Sequence, residues 1–184
     1  MPRYDSIANE DWLLAGSPSG LRAQNLRQLD CTTDTDPLTT QVMLTVAVPL
    51  QAGDLVSNIT FKSGATAADT PTNWWFALYD TSSALVGQTA DQTSTAWAAN
   101  TVKTLALTTA YRVPTTGVYY AGIMVKATDL PSLVGKSVGI AGAAASILSS
   151  KVLAQTSGSS LTDTAPATIA TPTTIASVPL AILT

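Results

Sequence analysis

The chain has 184 residues, 46% of them hydrophobic and only 11% charged, less than half the roughly 25% usual in globular proteins. That length holds one domain with a proper core plus an arm, and a net charge of −3 leaves no basic field to grip a nucleic-acid backbone. With one cysteine and no histidine, an intrachain disulfide is impossible and a zinc or copper site lacks its usual ligands.

In chain order, Met1-Pro2-Arg3-Tyr4-Asp5 has none of the apolar run of a signal peptide. Ser6 is placed to cap a short helix through Trp12 to Ala15, with Glu10 and Asp11 near its positive end and Gly16 closing it. Ser17-Pro18-Ser19-Gly20 reads as a turn. Leu21, Leu26 and Leu29 follow in a pattern too irregular for helix or strand. Nine of the 21 charged residues fall in the first 36 positions, so the composition shifts at Asp36-Pro37. The shift divides the chain into an N-terminal arm, residues 1–36, and a β-sandwich domain, residues 37–184. An arm carrying Trp12, Leu13 and Leu14 has to bury them on its own domain or on a partner, which makes these three the candidate partner-binding residues. Cys31 reads as a small, incidental residue.

From Gln41 onward the pattern is that of strands. Val42, Leu44, Val46 and Val48 alternate with Met43, Thr45 and Ala47, the period of a half-buried strand, and Pro49 and Gly53 end it. Residues 55–61 alternate again, with Ile59 and Phe61 facing one way and Asn58 and Thr60 the other. After the turn-rich loop 63–71, residues 74–80 form an aromatic strand with Trp74, Phe76 and Leu78 on one face and Trp75, Ala77 and Tyr79 on the other. Asp80-Thr81-Ser82-Ser83 turns into a strand over 84–89, predicting a hairpin. Residues 101–107 are a further strand, which 111–113 either extends or leaves to pair separately. Residues 118–127 give the longest alternation, with Tyr119, Ala121, Ile123 and Val125 opposed to Val118, Tyr120, Gly122 and Met124. Residues 137–141 and 175–183 supply two more strands, and the Ser-, Thr-, Gly- and Pro-rich stretch 156–174 is an extended loop. About eight strands at turn-punctuated intervals predict an all-β fold, a single jelly-roll-like β-sandwich with an N-terminal arm. The most apolar stretch, 138–148, is about half the roughly 20 residues a membrane helix needs and lies between Lys136 and Lys151, so no membrane role is expected.

Chemically suggestive residues have ordinary explanations. Asp69, Asp80, Asp91 and Asp129 sit in predicted loops, where Asp commonly caps its own turn, and only Asp34 and Asp36 approach the spacing of a calcium loop. No Ser-His-Asp triad is possible, and no phosphate-cradling glycine motif occurs. The expectation is a protein that is not an enzyme and takes no cofactor. Trp74, Trp75, Trp97 and Tyr79 invite sugar stacking, but adjacent Trp74 and Trp75 point to opposite faces, so one belongs to the core and the other to an outer face or a subunit contact. A surface this poor in charge suits a protein packed against neighbours, copies of itself included.

The residues Ile59-Thr60-Phe61-Lys62-Ser63-Gly64-Ala65-Thr66, Pro71-Thr72-Asn73-Trp74-Trp75-Phe76-Ala77-Leu78-Tyr79-Asp80, Thr95-Ala96-Trp97-Ala98-Ala99-Asn100-Thr101 and 113–125 form a recognisable set. Over something more than a third of the chain, they resemble a jelly-roll-like module of structural proteins in tailed phages that infect actinobacteria. The resemblance implies a head-decoration or minor tail protein of the virion, assembled in the bacterial cytoplasm beside a major capsid protein or tail proteins. It carries no catalytic residue with it. A capsid position rests on the small size, the single domain and the arm; a tail module contacting host cell-wall glycan is the alternative.

Overall fold

The computed structural model of the chain describes residues 21–138 and 151–184. Within them run thirteen strands: β1 (Ala23–Gln24), β2 (Thr33–Asp34), β3 (Met43–Leu50), β4 (Leu55–Lys62), β5 (Asn73–Tyr79), β6 (Leu85–Gln88), β7 (Val102–Arg112), β8 (Gly117–Lys126), β9 (Val134–Ser137), β10 (Ala154–Ser157), β11 (Thr173–Thr174), β12 (Ser177–Pro179) and β13 (Ile182–Leu183). One 3-10 turn, Gln28–Asp30, interrupts them. A six-stranded sheet, ordered β11-β10-β3-β8-β5-β6, packs on a four-stranded sheet, ordered β1-β13-β4-β7, and a small third sheet is ordered β12-β9-β2. The paired strands are antiparallel throughout. From β3 to β8 the chain passes repeatedly from one large sheet to the other, so that β8 comes to lie between β3 and β5. The all-β, jelly-roll-like sandwich is therefore the fold.

The core between the sheets follows the alternation of the sequence. Trp74, Phe76 and Leu78 from β5 and Tyr119, Ala121, Ile123 and Val125 from β8 meet Ile59, Phe61 and Leu183 from the opposite sheet, all fully or nearly fully buried. Phe61 and Phe76 meet edge to face at 4.9 Å between centroids, and Trp74 stacks on Trp97 at 5.0 Å. The indole nitrogens in this core are satisfied, Trp74 donating to Thr95 O and Trp97 to Thr101 O.

Strand β4 shows where simple alternation breaks. Val56 and Ile59 are both buried although three positions apart, because β4 itself bulges at Ser57-Asn58, whose two amides both donate to Thr184 O; on its other side β7 bulges too, Val56 pairing with Tyr111 and Asn58 with Ala106. The bulge frees Leu107 to bridge Thr89 beside β6. Residues 101–107 and 111–113 thus belong to one strand. Strand β3 runs through Pro49 instead of ending there. Among the described residues its outer edge pairs with β10 over 43–46, with Ala47 N donating to Leu153 O as the last bond, so the missing N–H of Pro49 faces an edge without a described partner strand.

Four expectations need correction. Strand β3 is not half-buried: Met43, Leu44, Thr45, Val46 and Val48 are all buried. Nor is either of Trp74 and Trp75 left for a subunit contact: Trp75 does point to the outer side of its sheet, but both are completely buried within the chain. The physical reason is shared. Residues 158–172 fold as a strap across the far side of the six-stranded sheet and close a second apolar cluster of Met43, Trp75, Ala77, Tyr79, Tyr120 and Met124 under Ala165 and Ile169. Third, the stretch 156–174 is not loop throughout, because it begins in β10 and ends in β11, which pair with each other. Fourth, the stretch 175–183 is two short strands, β12 joining β9 and β13 entering between β1 and β4. The predicted helix through Trp12 to Ala15, the turn at 17–20 and most of the predicted strand at 137–141 lie outside the described residues.

Candidate contact surface

Trp12, Leu13 and Leu14, the residues the sequence marks for a partner, lie outside the described residues. The described part of the arm, residues 21–36, is stitched to the sandwich. Strand β1 pairs Ala23 with Leu183 and Gln24 with Ile182, and Asn25 donates to Pro179 O at 2.7 Å while accepting from Ala181 N at 2.8 Å. Strand β2 pairs Thr33 with Gly135 and Asp34 with Val134. The Asp34 carboxylate then accepts from Ala65 N and from Ser132 Oγ. A Cβ on Gly64 would meet that carboxylate, so any larger residue there would push Asp34 out of these bonds. Charge density shifts at Asp36-Pro37, yet sheet membership does not, because pairing depends on backbone groups and not on side-chain charge.

The arm root is the edge of the four-stranded sheet, and the outer face of that sheet is open among the described residues. Register assigns its side chains. Gln24, Ile182, Thr60 and Thr104 form one row across β1, β13, β4 and β7. Asn58 and Ala106 form the next, with Thr184 beside them through Thr184 N to Asn58 O. Lys62, paired with Val102, stands at one end, and Arg112, paired with Leu55, at the other. Arg22, one step along the register beside Thr184, reaches the Arg112 end as well, its Nε donating to Leu55 O, and the row of Gln24, Ile182, Thr60 and Thr104 holds no charge. Four polar side chains on the face are already partnered in the plane: Thr60 Oγ1 and Thr104 Oγ1 lie 2.8 Å apart, and Asn58 Nδ2 donates to Thr184 Oγ1 at 3.1 Å. Partnered hydroxyls and amides lose less on leaving water than free ones. Val102, on this face, is 55% exposed, and Leu29, on the arm, is 75% exposed.

The remaining candidates are accounted for by structure. Asp80 caps its turn, its Oδ1 accepting from Ser82 N, Ser82 Oγ and Ala84 N. Burial pushes its carboxyl up, but those bonds, with Lys151 nearby, outweigh burial and hold it below the ordinary value. Asp91 accepts from Trp74 N, Asn73 Nδ2 and Thr93 Oγ1, tying the loop to β5. Asp69 and Asp129 are joined through their backbones, and Asp36 accepts from Ser177 Oγ at 3.2 Å. Cys31 is half-buried, and burial pushes its thiol up. Trp74, Trp75, Trp97 and Tyr79 have no exposed surface, so none of the four offers a platform for a sugar ring. The uncharged face was the feature the strand pattern missed as a site. Asn58 and Thr60 were visible as an outward pair, but the partners in β7 and β13 come from pairings distant in sequence.

No protein-family model matches the chain, and no curated protein matches it.

Proposed function

We propose that this chain is a bacteriophage virion structural protein, an exterior capsid decoration and stabilising subunit that docks through its N-terminal arm. The observation that carries the reading is the face of the four-stranded sheet, open among the described residues and uncharged along its row of Gln24, Ile182, Thr60 and Thr104, with the arm's own strand β1 as its edge. A face and an arm that meet at one edge can engage a neighbour together. Low charge over the whole chain supports permanent packing in a lattice, and the phage-module resemblance supports the virion as its place. A minor tail position would use the same surface at lower copy number.

Quantitative mass spectrometry of purified particles tests the proposal. Hundreds of copies per particle support decoration, a handful support the tail tip, and absence from particles overturns both. Docking by the arm is tested by a truncation that starts at Leu21, which retains every described strand. That protein should keep its β-type circular dichroism and fail to bind particles lacking it. A truncation starting at Pro37 also removes β1 and β2, so it reports on stability and not on docking alone.

A further inference from the structure

We propose that the strap, residues 158–172, is an exchangeable element that crosses onto the six-stranded sheet of a second copy of this chain, joining two copies reciprocally. This inference stands whether or not the protein belongs to a virion. Three observations carry it.

The strap is the loop of one hairpin. Its two ends are held side by side where Gln155 pairs with Thr174 and Thr156 with Thr173, and β11 is the outermost strand of its sheet. Once its backbone bonds to Gln41, Ser83 and Leu85 part, it can therefore swing away as a unit without threading, from a root at the sheet's periphery where another molecule can approach. Its roots are also strained. Gly158 has φ 78°, but Ser160 at 54° and Thr171 at 43° hold left-handed backbone without being glycine, and a β-branched residue tolerates this worst. Opening at those positions releases strain.

The third observation identifies the occupant. The face under the strap presents Trp75, Tyr79 and Gln88, whose polar tips fit the backbone of the strap at fixed places. Trp75 Nε1 donates to Thr162 O at 2.7 Å, and Tyr79 Oη donates to Pro166 O at 2.9 Å. Gln88 both donates to Asp163 O and accepts from Ala165 N, each at 2.7 Å. A lifted strap leaves this apolar face needing a cover with that same spacing of carbonyls, and a second copy's strap has it. Exchange of an identical element repeats every contact and loses none, which is why such swaps are an accessible route to dimers.

The test uses full-length chains in which Cys31→Ser removes the native thiol. One carries Gln88→Cys on the sheet, the other Ala165→Cys on the strap. The two are unfolded, mixed, refolded at high concentration and treated with a short bis-maleimide. Exchange predicts a mixed dimer, one chain of each kind, as the main cross-linked product, and little of it when the chains are mixed only after folding. A refolded mixture that stays monomeric, or that yields no more mixed product than the control, overturns the proposal. Should either variant fail to regain its circular dichroism, sedimentation of the unaltered chain refolded at high concentration decides: a dimer that persists on dilution is expected, and monomer alone overturns it.

Discussion

The outer face of the six-stranded sheet carries Trp75, Tyr79, Tyr120 and Met124 beneath a strap, whereas the outer face of the four-stranded sheet carries Thr60, Thr104, Asn58 and Ile182 and is open among the described residues. Both are far sides of the same sandwich, built on the same two-residue alternation. The difference lies in what each face can tolerate in water. Aromatic and thioether side chains have to be covered, and the chain devotes some fifteen residues to covering them. Hydroxyls and amides bonded to one another in the plane need no cover, which leaves that face available to another molecule.

If the strapped side is a true second core, Trp75→Ala should destabilise the protein as much as Phe76→Ala does between the sheets. About 3–5 kcal/mol is expected for each, read from urea unfolding at neutral pH. A loss for Trp75→Ala of less than about 1 kcal/mol, with Phe76→Ala in its expected range, would reduce the strap to a loose covering.

A smaller effect separates packing from hydrogen bonding under the strap. Tyr79→Phe removes only the bond to Pro166 O and should lose about 1 kcal/mol. Alkaline pH probes the same place. Burial pushes the Tyr79 hydroxyl well above the ordinary tyrosine value of 10.0, and burial raises Tyr120 too, against the opposing bond with Val152. The folded state thus holds these protons more tightly than the unfolded state. Their contribution is complete below about pH 10 and is lost as pH rises from there toward the folded values. The urea midpoint should fall between about pH 9 and about pH 11, and more gently in Tyr79→Phe. An equal slope in both proteins would mean that Tyr79 ionises without disturbing the strap.

The smallest effect is expected on the open face. Thr60→Ala and Thr104→Ala should each change stability by no more than about 0.5 kcal/mol. Introducing charge there, as in Thr104→Glu, should leave the fold intact and abolish attachment to particles that lack the protein. Attachment at full strength would remove this face from the docking surface.

Much of the sandwich was legible because β5 and β8 alternate without a break, so the residues on each face could be named from sequence. Their second burial was harder to read. A run such as Asn73–Tyr79, apolar on both sides after its first residue, signals a strand covered on both faces, but the cover is a Ser-, Thr- and Pro-rich segment with little apolar pattern of its own. Ala154–Ser157 escaped notice because Ala-Gln-Thr-Ser has no alternation, and its place is set by β3, more than a hundred positions earlier. Strands of two residues, such as β1 and β2, are too short to show any period. The pairing of β1 with β13 is decided by the distant chain, and local charge at Asp36-Pro37 was a poor guide to it.

The insertion of β13 between β1 and β4 also sets an order of events during synthesis. Asn25 finds its partner in Ala181, 156 positions later, and Gln24 finds Ile182. At roughly 5–20 residues per second, a ribosome needs on the order of ten to thirty seconds to cross that interval. For all of it, the first strand of the four-stranded sheet has no place to go, while β3, β4, β5 and β8 can already assemble around Phe61 and Phe76. The pairing of β1 is thus among the last contacts that synthesis permits, and the nascent chain carries that strand unpaired throughout the interval.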